Sequence, residues 1–305
     1  MRDAFIRSLL AAAERDDRVF LIVGDLGYGV VEQFAEQFPQ RFLNAGISEQ
    51  NMMGVAAGLA KSGYKVFVYS IANFPTVRCL EQIRNDVCYH DLDVTIVSIG
   101  AGFGYGTLGY SHFAIEDLAL IRALPKIMVY SPGDALELDV AVKSIVESNG
   151  PNYLRVGKNG ESLLSGGDFS SSLKARRLSE GQEFAVLSTG NIGAAVQIAI
   201  DGLSTKMKSS IGHFSIPTLH NATLQTVNLD RFKKVITVEE HVLSGGFGSF
   251  VLEYLELEQR QIPIKRLGIA KDLDFPIGDQ NYLREIYGLD ADTMRTKIQE
   301  FFEST

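Results

Sequence analysis

Two side chains in this sequence combine a reactive type with a suggestive position. Glu49 lies in the run NAGISEQNMMGVAAGLA (residues 44–60), a carboxylate at the mouth of a helix built from small residues. Position alone leaves two uses open, because the positive end of a helix stabilises an acid whether or not it takes part in chemistry. His112 follows the glycine-rich stretch GAGFGYGTLG (residues 100–109) and precedes the apolar run FAIEDLALIRALP. Its imidazole titrates near neutrality and can exchange a proton with a hydroxyl, although a histidine at a helix start is also a common surface residue. Within the glycines, GYGTLG is formally a GxGxxG. A dinucleotide fingerprint opens its helix inside the glycines, whereas Ser111 reads as a cap placed after them, so a mobile or closely approached loop is the expectation.

These residues need a scaffold, and the hydrophobic pattern supplies one. Apolar runs VFLIVG (19–24), YKVFVYS (64–70), VTIVSIG (94–100) and KIMVY (126–130) alternate with helical periodicity over 4–13, 76–88 and 113–124. Strands apolar on both faces between helices predict a parallel sheet covered on both sides. Ser48 is expected to cap the helix of Glu49 by accepting a backbone N–H, with Lys61 and Gly63 ending it. Gly54 and Gly58 each cost about 1 kcal/mol against Ala, which predicts close backbone packing of this helix on a neighbour. Apolar periodicity lapses over 158–181, then resumes with FAVLST, KVITVEE and IKRLGI between further helices, the last ending near Phe302. The expected fold is α/β, with two doubly wound domains, each a mostly parallel sheet covered by helices: residues 1–160 and 183–305, with 161–182 as linker.

The totals narrow the function. In 305 residues, 46% are hydrophobic and 22% charged, the balance of a globular protein with two cores. A formal net charge of -8 argues against nucleic acid as a partner. Cys79 and Cys88 have no metal-ligand spacing and suit a reducing compartment. The opening reads as an amphipathic helix and not a signal peptide, and no apolar run reaches the roughly 18 residues that span a bilayer, so a cytoplasmic location without membrane contact is expected.

The string GISEQNMMGVAAGLA resembles the pyrimidine-binding domain of transketolases, and YSHFAIEDLALIRALP and VEEHVLSGGFG extend the resemblance along nearly the whole chain. It implies a thiamine-diphosphate enzyme in which Glu49 hydrogen-bonds ring nitrogen N1′ of the coenzyme, a role eased if its pocket is apolar enough to favour the neutral carboxyl. Phe74 falls about where the family stacks an aromatic on the pyrimidine, worth on the order of 1 kcal/mol beyond burial. Asp25 and Leu26 match the pair that closes over the ring from the other side. By the same resemblance His112 handles a sugar hydroxyl, while Arg155 and Arg2 match arginines that bind an anionic substrate tail. A guanidinium fork suits phosphate, although an arginine at a strand end is also commonly just exposed.

Departures qualify the match. Leu108 stands where the family often reads a sugar hydroxyl with Asp, Gly100 where some members place a substrate His, and Gly29 where a phosphate-binding Ser is expected. The resemblance covers only the C-terminal half of a full-length transketolase; Gly24, Asp25 and Leu26 with Asn51 do not make the GDG and downstream Asn that hold diphosphate and Mg²⁺. It therefore implies the second subunit of a split transketolase, active only with an N-terminal-half, GDG-type partner that holds the diphosphate and Mg²⁺ (or Ca²⁺). It further implies a heterotetramer with a homodimer contact through the pyrimidine domain, and sugar substrates that exchange a two-carbon ketol unit. The alternatives are the beta subunit of a 2-oxoacid dehydrogenase and a non-catalytic paralogue.

Overall fold

The computed structural model describes residues 1–158, 160–270, 274 and 276–304. The first sheet has six parallel strands: β1 (Val19–Val23), β2 (Phe42–Asn44), β3 (Lys65–Ile71), β4 (Val94–Ile99), β5 (Met128–Tyr130) and β6 (Asn152–Val156), in the order β2-β1-β3-β4-β6-β5. β1, β4 and β6 are buried at every position, as a sheet with helices on both faces requires. The second sheet orders β7 (Arg176–Arg177), β8 (Phe184–Ser188), β9 (Ile211–Ser215), β10 (Lys234–Val242) and β11 (Ile264–Ile269) as β11-β10-β8-β9-β7, parallel except for β7 against β9. The two doubly wound α/β units of the expected fold are both present. β7 falls inside the stretch 161–182 expected as linker, so part of that stretch is hydrogen-bonded into the second sheet.

The units share a core. Val66, Ile96, Leu118 and Val129 of the first pack in one apolar cluster with Leu187, Phe214, Val235 and Phe247 of the second. Backbone bonds cross as well: Ser131 N donates to Pro217 O at 2.7 Å, Leu219 N to Val129 O at 2.9 Å and Val242 N to Ile115 O at 2.8 Å. Among the described residues no helix is long and apolar enough to cross a membrane.

Strand order in the first sheet reverses at β1, because β2 lies on one side and β3 on the other. At such a switch point the connections leave in opposite directions and open a crevice outside the carboxyl ends of the strands, where α/β folds take ligands. The segments after β1, β2, β3 and β4 carry Asp25, Glu49, Phe74 and His112.

Candidate active site

Glu49 begins the Glu49–Lys61 helix and is only 3% exposed. Ser48 does not cap it with its side chain: Ser48 Oγ instead donates to Ala45 O at 2.8 Å, pinning the entry turn. Met52, Met53, Ala56, Ala57 and Ala60 are buried, while Gly54 and Gly58 face outward with open space where a Cβ would stand. The close packing expected at these glycines is thus not made among the described residues of this chain.

The apolar pocket expected around Glu49 is not what the structure places there. Arg78 Nη1 donates to Glu49 Oε2 at 2.6 Å, and its guanidinium carbon sits 4.6 Å from the Phe74 ring centre. Phe74 in turn meets the His112 ring edge-on at 5.1 Å. Glu49, Arg78, Phe74 and His112 therefore form one contiguous cluster. The turn that builds it is strained: Ala72, at the end of β3, has φ +43°, a backbone state that non-glycine residues avoid. Three bonds hold it, from Ala72 N to Ile99 O at 2.8 Å and into Ala72 O from Ser98 Oγ at 2.9 Å and Thr76 Oγ1 at 3.2 Å. Beyond it the expected helix over 76–88 breaks into a 3₁₀ turn (Val77–Cys79), one α-turn (Leu80–Gln82) and a π-turn (Ile83–Cys88). Such irregular helices recur at functional sites. Beside Glu49, burial and the neighbouring carboxylate push the Cys79 thiol up to about 12, which makes it an unreactive packing group.

His112 ends the 3₁₀ turn Tyr110–His112, with Ser111 Oγ 3.0 Å from its Nδ1. Partial burial lowers its pKa, so the ring is neutral at physiological pH. The glycine loop before it is fixed by the second domain. Glu240, on β10, accepts from Phe103 N at 2.6 Å and Gln280 Nε2 at 2.7 Å and pairs with Arg284. Gly102 has φ +63°, and a Cβ there would collide with the Glu240 carboxylate. Phe103 stacks on Tyr287 with centroids 5.2 Å apart and, with Phe113, enters the second domain's core.

Asp25 and Leu26 follow β1 as expected. Asp25, at φ +54°, accepts from Tyr28 OH at 2.8 Å and Asn44 Nδ2 at 3.0 Å, which binds the ends of β1 and β2 together and lowers the Asp25 pKa. Leu26 is half-buried against the first domain's core. Gly100, at φ +93°, leaves the room that the Tyr105 ring fills; a Cβ would overlap that ring. Lys158 Nζ lies 4.6 Å from the Tyr105 ring centre. Arg2, partly exposed at the start of the Arg2–Ala13 helix, is close enough for its charge to oppose the rise that burial imposes on the Tyr105 hydroxyl.

Arg155 is the correction. It is 1% exposed, with Nε donating to Asp117 Oδ2 at 2.7 Å and Nη2 to Ala114 O at 2.7 Å and Glu240 O at 3.0 Å. A side chain so enclosed cannot reach a substrate tail; it clamps β6 to β10 across the two domains. Sequence reasoning also missed Arg78, Glu240 and Tyr105. Only Arg78 left a trace, in its spacing of four residues from Phe74; the contact itself is made across the turn that precedes the Val77–Cys79 segment, which no helical period encodes.

With this geometry in place, comparisons with known proteins are specific. The family described as "Transketolase, pyrimidine binding domain" matches residues 1–160, and "Transketolase, C-terminal domain" matches 173–294. A protein of Methanocaldococcus jannaschii described as a putative transketolase C-terminal section is 31% identical, the match covering 98% of this chain and 95% of that one. The 6-deoxy-6-sulfo-D-fructose transketolase subunit SqwH of a Clostridium species is 31% identical over 95% of this chain and 91% of its own. Among solved structures, one described as "split gene transketolase, inactive beta4 tetramer" has a TM-score of 0.85 and 33% identity, covering 98% of this chain and 96% of that chain.

Proposed function

Because this chain belongs to the transketolase family, we propose that it is the second subunit of a split, thiamine-diphosphate-dependent transketolase, moving a two-carbon ketol unit from a ketose to an aldose. The observation that carries this reading is the meeting of a buried carboxylate, an aromatic ring and a neutral histidine at the switch point of the first sheet. The donor set fits the pyrimidine end of the coenzyme. Glu49 would hold a ring nitrogen, Phe74 would lie against the ring, and Asp25 and Leu26 would close the side after β1. The coenzyme, when bound, supplies the carbanion chemistry that breaks and remakes a carbon–carbon bond.

Within that division of labour, His112 exchanges a proton with a sugar hydroxyl, for which a neutral imidazole at physiological pH is suited. With Arg155 sealed in, an anionic substrate tail would be met by Arg2, whose charge acts on Tyr105, and by Lys158, which lies over the Tyr105 ring. The diphosphate and its Mg²⁺ or Ca²⁺ would be held by an N-terminal-half partner of the GDG type. The description of a relative as an inactive beta4 tetramer supports this dependence on a second kind of chain. Outward-facing Gly54 and Gly58 support a homodimer contact along the Glu49–Lys61 helix in a heterotetramer.

The test is Glu49→Gln in the reconstituted complex. Ketol transfer should fall by at least about 100-fold, the scale of one positioned proton-handling group, with an unchanged melting temperature. Undiminished transfer would refute the assignment, and turnover of pyruvate with loss of CO₂ would move the chain to the 2-oxoacid class.

A further inference from the structure

One side chain holds both groups by which the first domain would take an aminopyrimidine. Arg78 donates to Glu49 at 2.6 Å and covers Phe74 at 4.6 Å. The two ends of this contact differ: the Glu49 side chain is 3% exposed and fixed at a helix start, whereas the Arg78 side chain is 46% exposed. The acid is anchored and the arginine is not. A flat ring cannot bond the same carboxylate oxygen and rest on the covered face of Phe74 while the guanidinium is there.

We infer that Arg78 is a latch on the pyrimidine site. In the free chain it occupies the carboxylate and the aromatic face together, and the aminopyrimidine enters by displacing it into solvent. This rests on the reading of Glu49 and Phe74 given above. Neither group is left bare by the exchange. Glu49, which would be costly to leave buried without a partner, stops accepting from the guanidinium and instead shares with the ring nitrogen a proton taken up from solvent as the ion pair breaks, and Phe74 trades a planar cation for a planar ring. Arg78 gives up a contact already half in water. In consequence the free chain is stable with its site closed and binds the ring weakly, because each binding event must first break the ion pair.

The experiment uses the isolated full chain and the neutral probe 4-amino-5-hydroxymethyl-2-methylpyrimidine, which lacks the diphosphate and so reports this half of the site alone. Binding is followed by titration NMR, together with the Arg78 guanidinium resonances. Arg78→Met, folded by circular dichroism, should bind the probe about tenfold more tightly than the wild type, the scale of one charge-assisted bond removed from the competing state. In the wild type, the Arg78 resonances should move towards solvent-exposed values as the probe saturates. Equal or weaker binding by Arg78→Met would overturn the latch. The pyrimidine-site reading would still stand if Phe74→Leu and Glu49→Gln weakened the probe. Failure of every folded form to bind would overturn both.

Discussion

The buried position of Arg155 makes a quantitative prediction that separates two roles for the same residue. Arg155 and Asp117 are 1% and 0% exposed in their side chains and meet at 2.7 Å. Asp117 Oδ2 also accepts from Tyr153 OH at 2.6 Å, but its Oδ1 has no hydrogen-bond partner among the described residues, and His241 Nε2 stands 3.8 Å away. The guanidinium is therefore the principal counter-charge for a carboxylate cut off from water. Arg155→Met keeps much of the volume and removes the charge. Leaving one member of a buried pair unpaired costs about 3–5 kcal/mol. In a chain of this size each kcal/mol moves the melting temperature by roughly 2 °C, so a fall of about 6–10 °C is expected by circular dichroism. Arg155→Met with Asp117→Leu should recover at least about 2 kcal/mol, because the orphaned charge has gone. A melting temperature within about 1 °C of wild type, combined with weakened use of a phosphorylated sugar, would refute this reasoning. Arg155 would then be the surface arginine that its place at a strand end suggests.

Two further outcomes follow from the same geometry. Gly100→Ala should cost about 1–3 kcal/mol by backbone strain at φ +93° and by displacing the Tyr105 ring; the same change in a Tyr105→Ala background should lose only the backbone share, and equal losses in both backgrounds would count against the ring contact. Burial raises Glu137 from 4.5 to about 7 against the bond from Gly133 N, with Asp134 raising it further and Arg176 opposing. The folded state thus holds a proton that the unfolded state has released between about pH 4.5 and 7, and stability falls as pH rises through that window. Buried His213, pushed down from 6.5 to about 3, acts in the opposite sense, its share of stability rising with pH over that range. Melting curves of Glu137→Gln and wild type at pH 5 and 8 isolate the carboxyl: the variant should gain relative to wild type at pH 8, and a difference that does not change with pH would exclude the titration.

What could be read in the sequence was what is local. Strands β1, β3 and β4 announce themselves because both of their faces are apolar, and the Glu49–Lys61 helix because its apolar period is regular up to Lys61 and Gly63. Glu49, Phe74 and His112 stand out through the family resemblance, since position alone leaves each with an ordinary structural use; the structure sets the three on segments that follow strands of one sheet. Features that depend on a distant element were not legible. The helix expected over 113–124 shrinks to Asp117–Ile121 because Phe113 and Ile115 are drawn into the second domain's core. Arg155 looked exposed because the domain that buries it begins some tens of residues later, and the ion pair of Arg78 joins helices whose contact no periodicity encodes. The π-turn at Ile83–Cys88 was missed for another reason: it adds one residue per turn without a compositional mark.

The grip of Glu240 on the loop ahead of His112 constrains how such a chain can be recombined. The posture of a segment belonging to one sheet is dictated by a carboxylate belonging to the other, and bare Gly102 is the keyhole that admits it. A chimaera that borrowed its C-terminal unit from a relative would inherit a working loop only if residues 102 and 240 travelled as a matched set. The two units are in that sense divisible in sequence but locked together at this loop.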